Sequence, residues 1–169
     1  MLIVESIITS VASRPEDILL IATSVVILFF AQRQSALVMV IAKLPGTMMH
    51  ELMHFVAAVA TGSNPSSISI LPRRNAGGWI LGSVSFSPGF WTGSIVAMAP
   101  LALIPVTFFI WRVMPGNALW VRFGLSYLIA SCLYSSKPSA SDAVVATRHP
   151  AGVILLAIVV WVYFKYFSN

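Results

Sequence analysis

His50-Glu51-Leu52-Met53-His54 lies inside a largely apolar stretch running from Ala36 to Ala60, and nothing else in the chain restricts its fold so much. Three ionisable side chains in nonpolar surroundings are costly unless they pair with one another or hold an ion. On a helix, residues four apart share a face, so His50 and His54 aim two imidazole nitrogens at one point while Glu51 sits about a third of a turn away. Two histidines at this spacing suit a divalent metal, and the carboxylate beside the first suits a general base. The chain has 3 histidines, and the motif uses two of them.

Composition decides the solvent. Of 169 residues, 58% are hydrophobic and 9% charged, which does not describe a soluble domain. An integral, multi-pass membrane protein is expected, with the lipid bilayer as its solvent and a bacterial inner membrane as its location. The net charge of +5 comes from basic residues scattered singly apart from Arg73-Arg74, a pattern of interfacial anchors that argues against a nucleic-acid partner. Orientation stays open, because Arg33, Arg112, Arg122 and Lys165 on one inferred side balance Arg14, Arg73, Arg74 and Arg148 on the other. The single cysteine, Cys132, excludes an internal disulfide framework and reads as a small buried hydrophobe. Residues 1–13 lack a basic start and a small-residue cleavage site, so insertion through the chain's own helices is expected.

The fold expected is an all-α polytopic membrane protein of about four to five transmembrane helices with a small β-hairpin at the interface, in one domain over residues 1–169. Residues 1–13 alternate apolar and polar at helical period and read as an interfacial helix. Helices are expected over Ile18 to Ala31, Ser35 to Thr61, Thr92 to Trp111 with breaks at Pro100 and Pro105, and Ala151 to Phe164. Pro45-Gly46 is expected to kink the motif helix. Residues 62–88 change character: Ser67 to Leu71 and Gly82 to Ser87 alternate in a strand pattern around a Gly-rich turn, which reads as a hairpin or as a plain extramembrane loop. As a hairpin it would offer an edge to an extended peptide, with Ser69, Ile70, Val84 and Ser85 as candidate substrate contacts.

A third metal ligand must come from elsewhere in the chain. Arg122 to Tyr134 rises only about 18 to 20 Å through a core about 30 Å thick, so the polar stretch from Ser135 to Asp142 falls within the membrane. Arg122 to Thr147 then reads as one broken helix, with Asp142 at a depth comparable to His50, itself about 25 Å of helical rise from Arg33. Asp142 is the only acidic residue after Glu51. Ser139, three residues earlier, gives Asp142 a second reading as a helix cap, and the two roles are compatible. His149, beside Arg148 and Pro150 at a helix end, reads as an interfacial residue.

With H-E-x-x-H on one membrane helix, a hairpin after it and an aspartate on a later broken helix, the chain resembles the site-two protease family of intramembrane zinc metalloproteases across most of residues 36–148. The resemblance implies Zn2+ held by His50, His54 and Asp142, with Glu51 as the catalytic base. It implies an endopeptidase acting on a membrane-protein substrate, and homo-oligomers are compatible with it. The aspartate lacks the glycine that commonly follows it in the family, and Ala99-Pro100-Leu101 stands where the family has a longer G-P-x-x-N stretch. A zinc-binding membrane scaffold or chaperone-like protein without turnover is the other class expected from the same residues.

Overall fold

In the computed structural model, residues 14–75, 78–114 and 118–167 are described; the interfacial helix expected over residues 1–13 lies outside them. Helix α1 (Pro15–Ala31) starts with Pro15, where a missing N–H costs nothing, followed by Glu16 and Asp17 against the positive end of the helix. Helix α2 (Ala36–Ala60) is capped by Ser35, whose Oγ accepts from Val38 N at 3.5 Å. It ends at Gly62, whose φ of 67° suits glycine. The Gly62 and Ser63 N–H groups turn back there to the carbonyls of Val59 and Ala58. The helix runs unbroken through Pro45.

The expected hairpin is present, as two short ladders in succession. Strand β1 (Ser67–Ser69) pairs antiparallel with β4 (Ser83–Ser85), with Ile68 opposite Val84. Between them β2 (Arg73–Asn75) pairs with β3 (Gly78–Ile80). Helix α3 (Gly93–Ala97) passes into a 3-10 turn (Ala99–Ala102) at Pro100, and then into α4 (Leu103–Val113).

The later half has the expected break between Arg122 and Thr147: helix α5 (Leu119–Ser135) ends, and α6 (Ala140–Arg148) begins with a capping box of its own. Helix α6 is followed by α7 (Ala151–Phe167), bent by 82° from it at the Pro150 break. A proline cannot continue the hydrogen-bond ladder, so the direction changes there rather than at the Ser136 turn alone.

Helix α5 packs against α1, α2 and α4. Its buried residues are Ser126, Ile129, Ala130, Ser131 and Cys132, mostly small, which lets neighbouring backbones approach. Cys132 is the small buried residue expected. Three contacts at one-turn spacing tie α5 to α2: Tyr127 Oη donates to the Ala42 carbonyl at 2.6 Å, Ser131 Oγ accepts from Gly46 N at 2.9 Å, and the Ser135 carbonyl lies 2.6 Å from His50 Nδ1. The first two satisfy backbone groups beside Pro45, where a neighbouring helix is needed to do so. At Pro45-Gly46 α2 is held closely against α5. At one end of the bundle, Arg122 bridges to the buried Asp17 and to Glu16, while Arg14 reaches the Trp111 and Met114 carbonyls. This cluster joins the starts of α1 and α5 to the end of α4.

Large apolar side chains point outward, including Phe29, Phe30, Ile41, Phe109, Trp120 and those along α7, while Ser24, Ser94, Thr107, Ser126 and Ser131 are buried. Among the described residues, α2 is long and apolar enough to cross a membrane, and α6 with α7 makes a second such unit if the bent pair counts as one. The count by length is therefore one or two rather than four to five, since α1 and α5 have 17 residues each.

The α2–α5 seam makes Gly46 intolerant of a side chain, because a Cβ there would collide with the Ser131 backbone and with the Ser131 and Ser135 hydroxyls. Gly46→Val is expected to destabilise the protein by roughly 1 to 3 kcal/mol. Thermal unfolding in detergent checks this; an unchanged midpoint would mean that the seam is not as close as described.

Candidate metal centre

The site begins with α2. Its helical pitch puts His50 and His54 on one face, with ring centroids 4.8 Å apart, and their Nε2 atoms approach to 3.1 Å. What orients the rings is backbone from other helices. His50 Nδ1 bonds the Ser135 carbonyl at 2.6 Å and His54 Nδ1 bonds the Val96 carbonyl at 2.8 Å. A carbonyl oxygen only accepts, so each Nδ1 carries a proton and donates, leaving Nε2 of each ring as the atom that faces the site.

Both acceptors are available for a local reason. Ser135 closes α5, where the last carbonyls have no intrahelical donor. Val96 lies four residues before Pro100, which has no N–H to return to it. The proline in Ala99-Pro100-Leu101 thus contributes to the site through the acceptor it frees, a link that sequence reasoning missed although the proline was in plain view.

Asp142 completes the group from α6. Its Oδ1 lies 3.3 Å from His54 Nε2 and its Oδ2 lies 3.5 Å from His50 Nε2. The same carboxylate caps its own helix, with Oδ2 accepting from Ser139 N at 2.7 Å and from Ser139 Oγ at 2.6 Å. Ligand position and cap are therefore one arrangement, in which the cap fixes the carboxylate that faces the histidines. His149 lies apart, against Gly93 at the α6–α7 bend.

His50, His54 and Asp142 can hold a metal ion. Two ring nitrogens and a carboxylate this close repel one another unless a proton or a metal cation stands among them. Donors about 2.0 to 2.1 Å from a tetrahedral zinc are roughly 3.3 Å apart, the scale of the separations here, and the donor set leaves one position for water. The residues fit zinc.

Glu51 is buried, and among the described residues no hydrogen bond holds its carboxyl. Its side chain rests on Gly82, where a Cβ would come within 2.5 Å of Glu51 Cγ. That glycine, just before β4, makes room for the carboxylate; its role was not read from the sequence. Together these residues surround a cavity of about 200 Å³ lined by His50, Glu51, His54, Asp142, Val84 and Phe86, among others. Of the four candidate substrate contacts, Val84 lines this cavity. Ser69 stands opposite Ser83 in the ladder, Ser85 is exposed opposite Ser67, and Ile70 follows the end of β1.

No protein-family model, curated protein or solved structure matches the chain.

Two measurements check the centre. Purified wild type is expected to carry about one zinc per chain by elemental analysis, lost in His50→Ala, His54→Ala and Asp142→Ala; full occupancy in the Asp142 variant would remove it from the ligand set. Pro100→Ala restores an N–H able to compete for the Val96 carbonyl and is expected to weaken zinc binding about tenfold in a chelator competition, since partners that orient a ligand carry that weight.

Proposed function

We propose that this protein is a membrane-embedded, zinc-dependent endopeptidase of the site-two type, cleaving a membrane-associated or transmembrane segment of another protein. The observation that carries the reading is the pairing of two functions within one turn of α2. Two histidines with fixed rings converge on Asp142, and the adjacent Glu51 holds a buried carboxyl free of hydrogen bonds in the same cavity. A site made only to bind metal has no need of that carboxyl.

Multi-pass membrane embedding is supported by the inverted partition of the fold, with large apolar residues outside and small polar ones inside. Helix α2 and the bent α6–α7 pair supply the longest apolar runs, and the shorter α1, α4 and α5 would cross a locally thinned bilayer or end within it.

A zinc ion held by His50, His54 and Asp142 would polarise a water and a peptide carbonyl. Glu51 takes a proton from the attacking water and later returns it to the leaving amine nitrogen. The Ser135 and Val96 carbonyls keep both imidazoles in the tautomer that ligates. A substrate helix has its carbonyls locked in internal hydrogen bonds, so it must unwind locally before attack. Strand β4 lines the cavity and, among the described residues, pairs with β1 along one edge. Its other edge is suited to holding the unwound segment extended.

Glu51→Gln is expected to retain zinc and to lower peptide cleavage by at least a hundredfold, the scale of lost general-base catalysis. Activity unaffected by this change would favour the zinc-binding scaffold.

A further inference from the structure

A second, larger cavity of about 670 Å³ adjoins the metal centre, sharing His50, Glu51, Gly82 and Ser139 with the smaller one. Its wall carries two lysines. Lys43 stands on the same stripe of α2 as Thr47, His50 and His54, two turns before the first ligand. It is half-buried, with Nζ 4.9 Å from the centre of the Tyr134 ring. Lys137 lies in the α5–α6 connection and lines the same cavity. Among the described residues, neither lysine has a carboxylate partner.

Ser139 and Ala140 complete this wall at the start of α6, where the Asp142 carboxylate already caps the helix, so the two lysines are the cations on the lining. The one carboxylate on the lining is Glu51, at the inner end beside the metal ligands. An ionisable residue such as Lys43 within an apolar helix, facing a cavity and paired only with a neutral ring, marks a site for something that crosses the cavity.

We propose that this cavity selects substrates carrying a carboxylate, which Lys43 and Lys137 receive while the scissile peptide lies at Glu51. The inference rests on the peptidase reading and names its substrate class. Lys43 and His50 are separated by about 10 Å of helical rise, and an extended peptide covers that in about three residues. The carboxylate therefore belongs about three residues from the bond cut, either as an Asp or Glu side chain or as the substrate's own C-terminus. Continuity of the cavity with the metal centre favours a peptide over an anionic lipid, whose headgroup would have no reason to reach Glu51.

The test uses labelled synthetic peptides of apolar sequence in neutral detergent, with one Glu moved along the chain, the matching Gln peptides, and each with a C-terminal acid or amide. Binding is read by fluorescence anisotropy on zinc-loaded Glu51→Gln protein, so it does not depend on turnover. Cut sites are mapped with wild type by mass spectrometry. Glu51→Gln is expected to bind the best Glu peptide, or the free-acid peptide, about tenfold more tightly than its neutral counterpart, the scale of one charge-assisted hydrogen bond. Adding Lys43→Gln and Lys137→Gln should abolish that preference with zinc content and thermal midpoint retained, and adding Lys43→Glu instead should shift preference to a Lys peptide. The Glu and free-acid arms tell a side chain from a chain terminus. Equal binding of acidic and neutral peptides would overturn the proposal, as would a preference that survives the double change, or lysine-dependent binding to phosphatidylglycerol vesicles without any to acidic peptides. Acid-selective binding with no cleavage by wild type would instead overturn the peptidase reading and leave the carboxylate site standing.

Discussion

The three hydrogen bonds between α2 and α5 are the constraint on which the rest depends. They follow one another at one-turn intervals, from Ala42 through Gly46 to His50, met by Tyr127, Ser131 and Ser135. The first two answer the backbone groups disturbed by Pro45, and the third turns the His50 ring. A helix pair locked this way cannot slide by a residue without losing all three. The position of a candidate metal ligand is thus tied to the repair of a proline within an apolar helix, and Gly46 gives the seam its closeness.

The same economy of backbone recurs at the second histidine. Pro100 ends the ordinary ladder of α3, and the carbonyl it leaves at Val96 fixes His54. When buried, an unpaired carbonyl is expensive and an unpaired imidazole N–H equally so, and each satisfies the other. Two helix ends, brought together by packing on α2, supply the acceptors that hold the two rings. Two groups of ionisable residues meet inside the fold: the Arg122 cluster that joins helix ends, and the cavity group around His50, Glu51 and Asp142 with Lys43 and Lys137 beside it.

Much of this was legible from the residues. The Ser67 and Gly82 segments alternate with period two, and they pair with Ile68 opposite Val84 because that period leaves few alternatives. Asp142 could be selected by elimination and depth, and Ser139 announced the cap. The break between α5 and α6 was legible in the polar run from Ser135 to Asp142, whereas the 82° bend at Pro150 was not, because hydropathy carries no direction. By length, one or two helices among the described residues can cross a membrane, because composition measures how apolar a segment is and not where hydrogen bonding ends it. Gly82 and Lys43 carried no signal in local pattern, since one serves Glu51 from across the hairpin and the other matters through the cavity it faces.

The sequence by itself determined the pairing of His50 with His54 and the place of Glu51 beside them, because helical pitch fixes neighbours three to four residues apart whatever surrounds them. It also determined that such a group in apolar sequence must be paired or ligating. Only the tertiary structure decided that Asp142 meets both imidazoles, that the Ser135 and Val96 carbonyls fix their tautomers, and that Gly82 makes room for Glu51. These contacts join residues 31 to 92 positions apart in the chain, and no local periodicity records which distant backbone group will be left without a partner until helices pack.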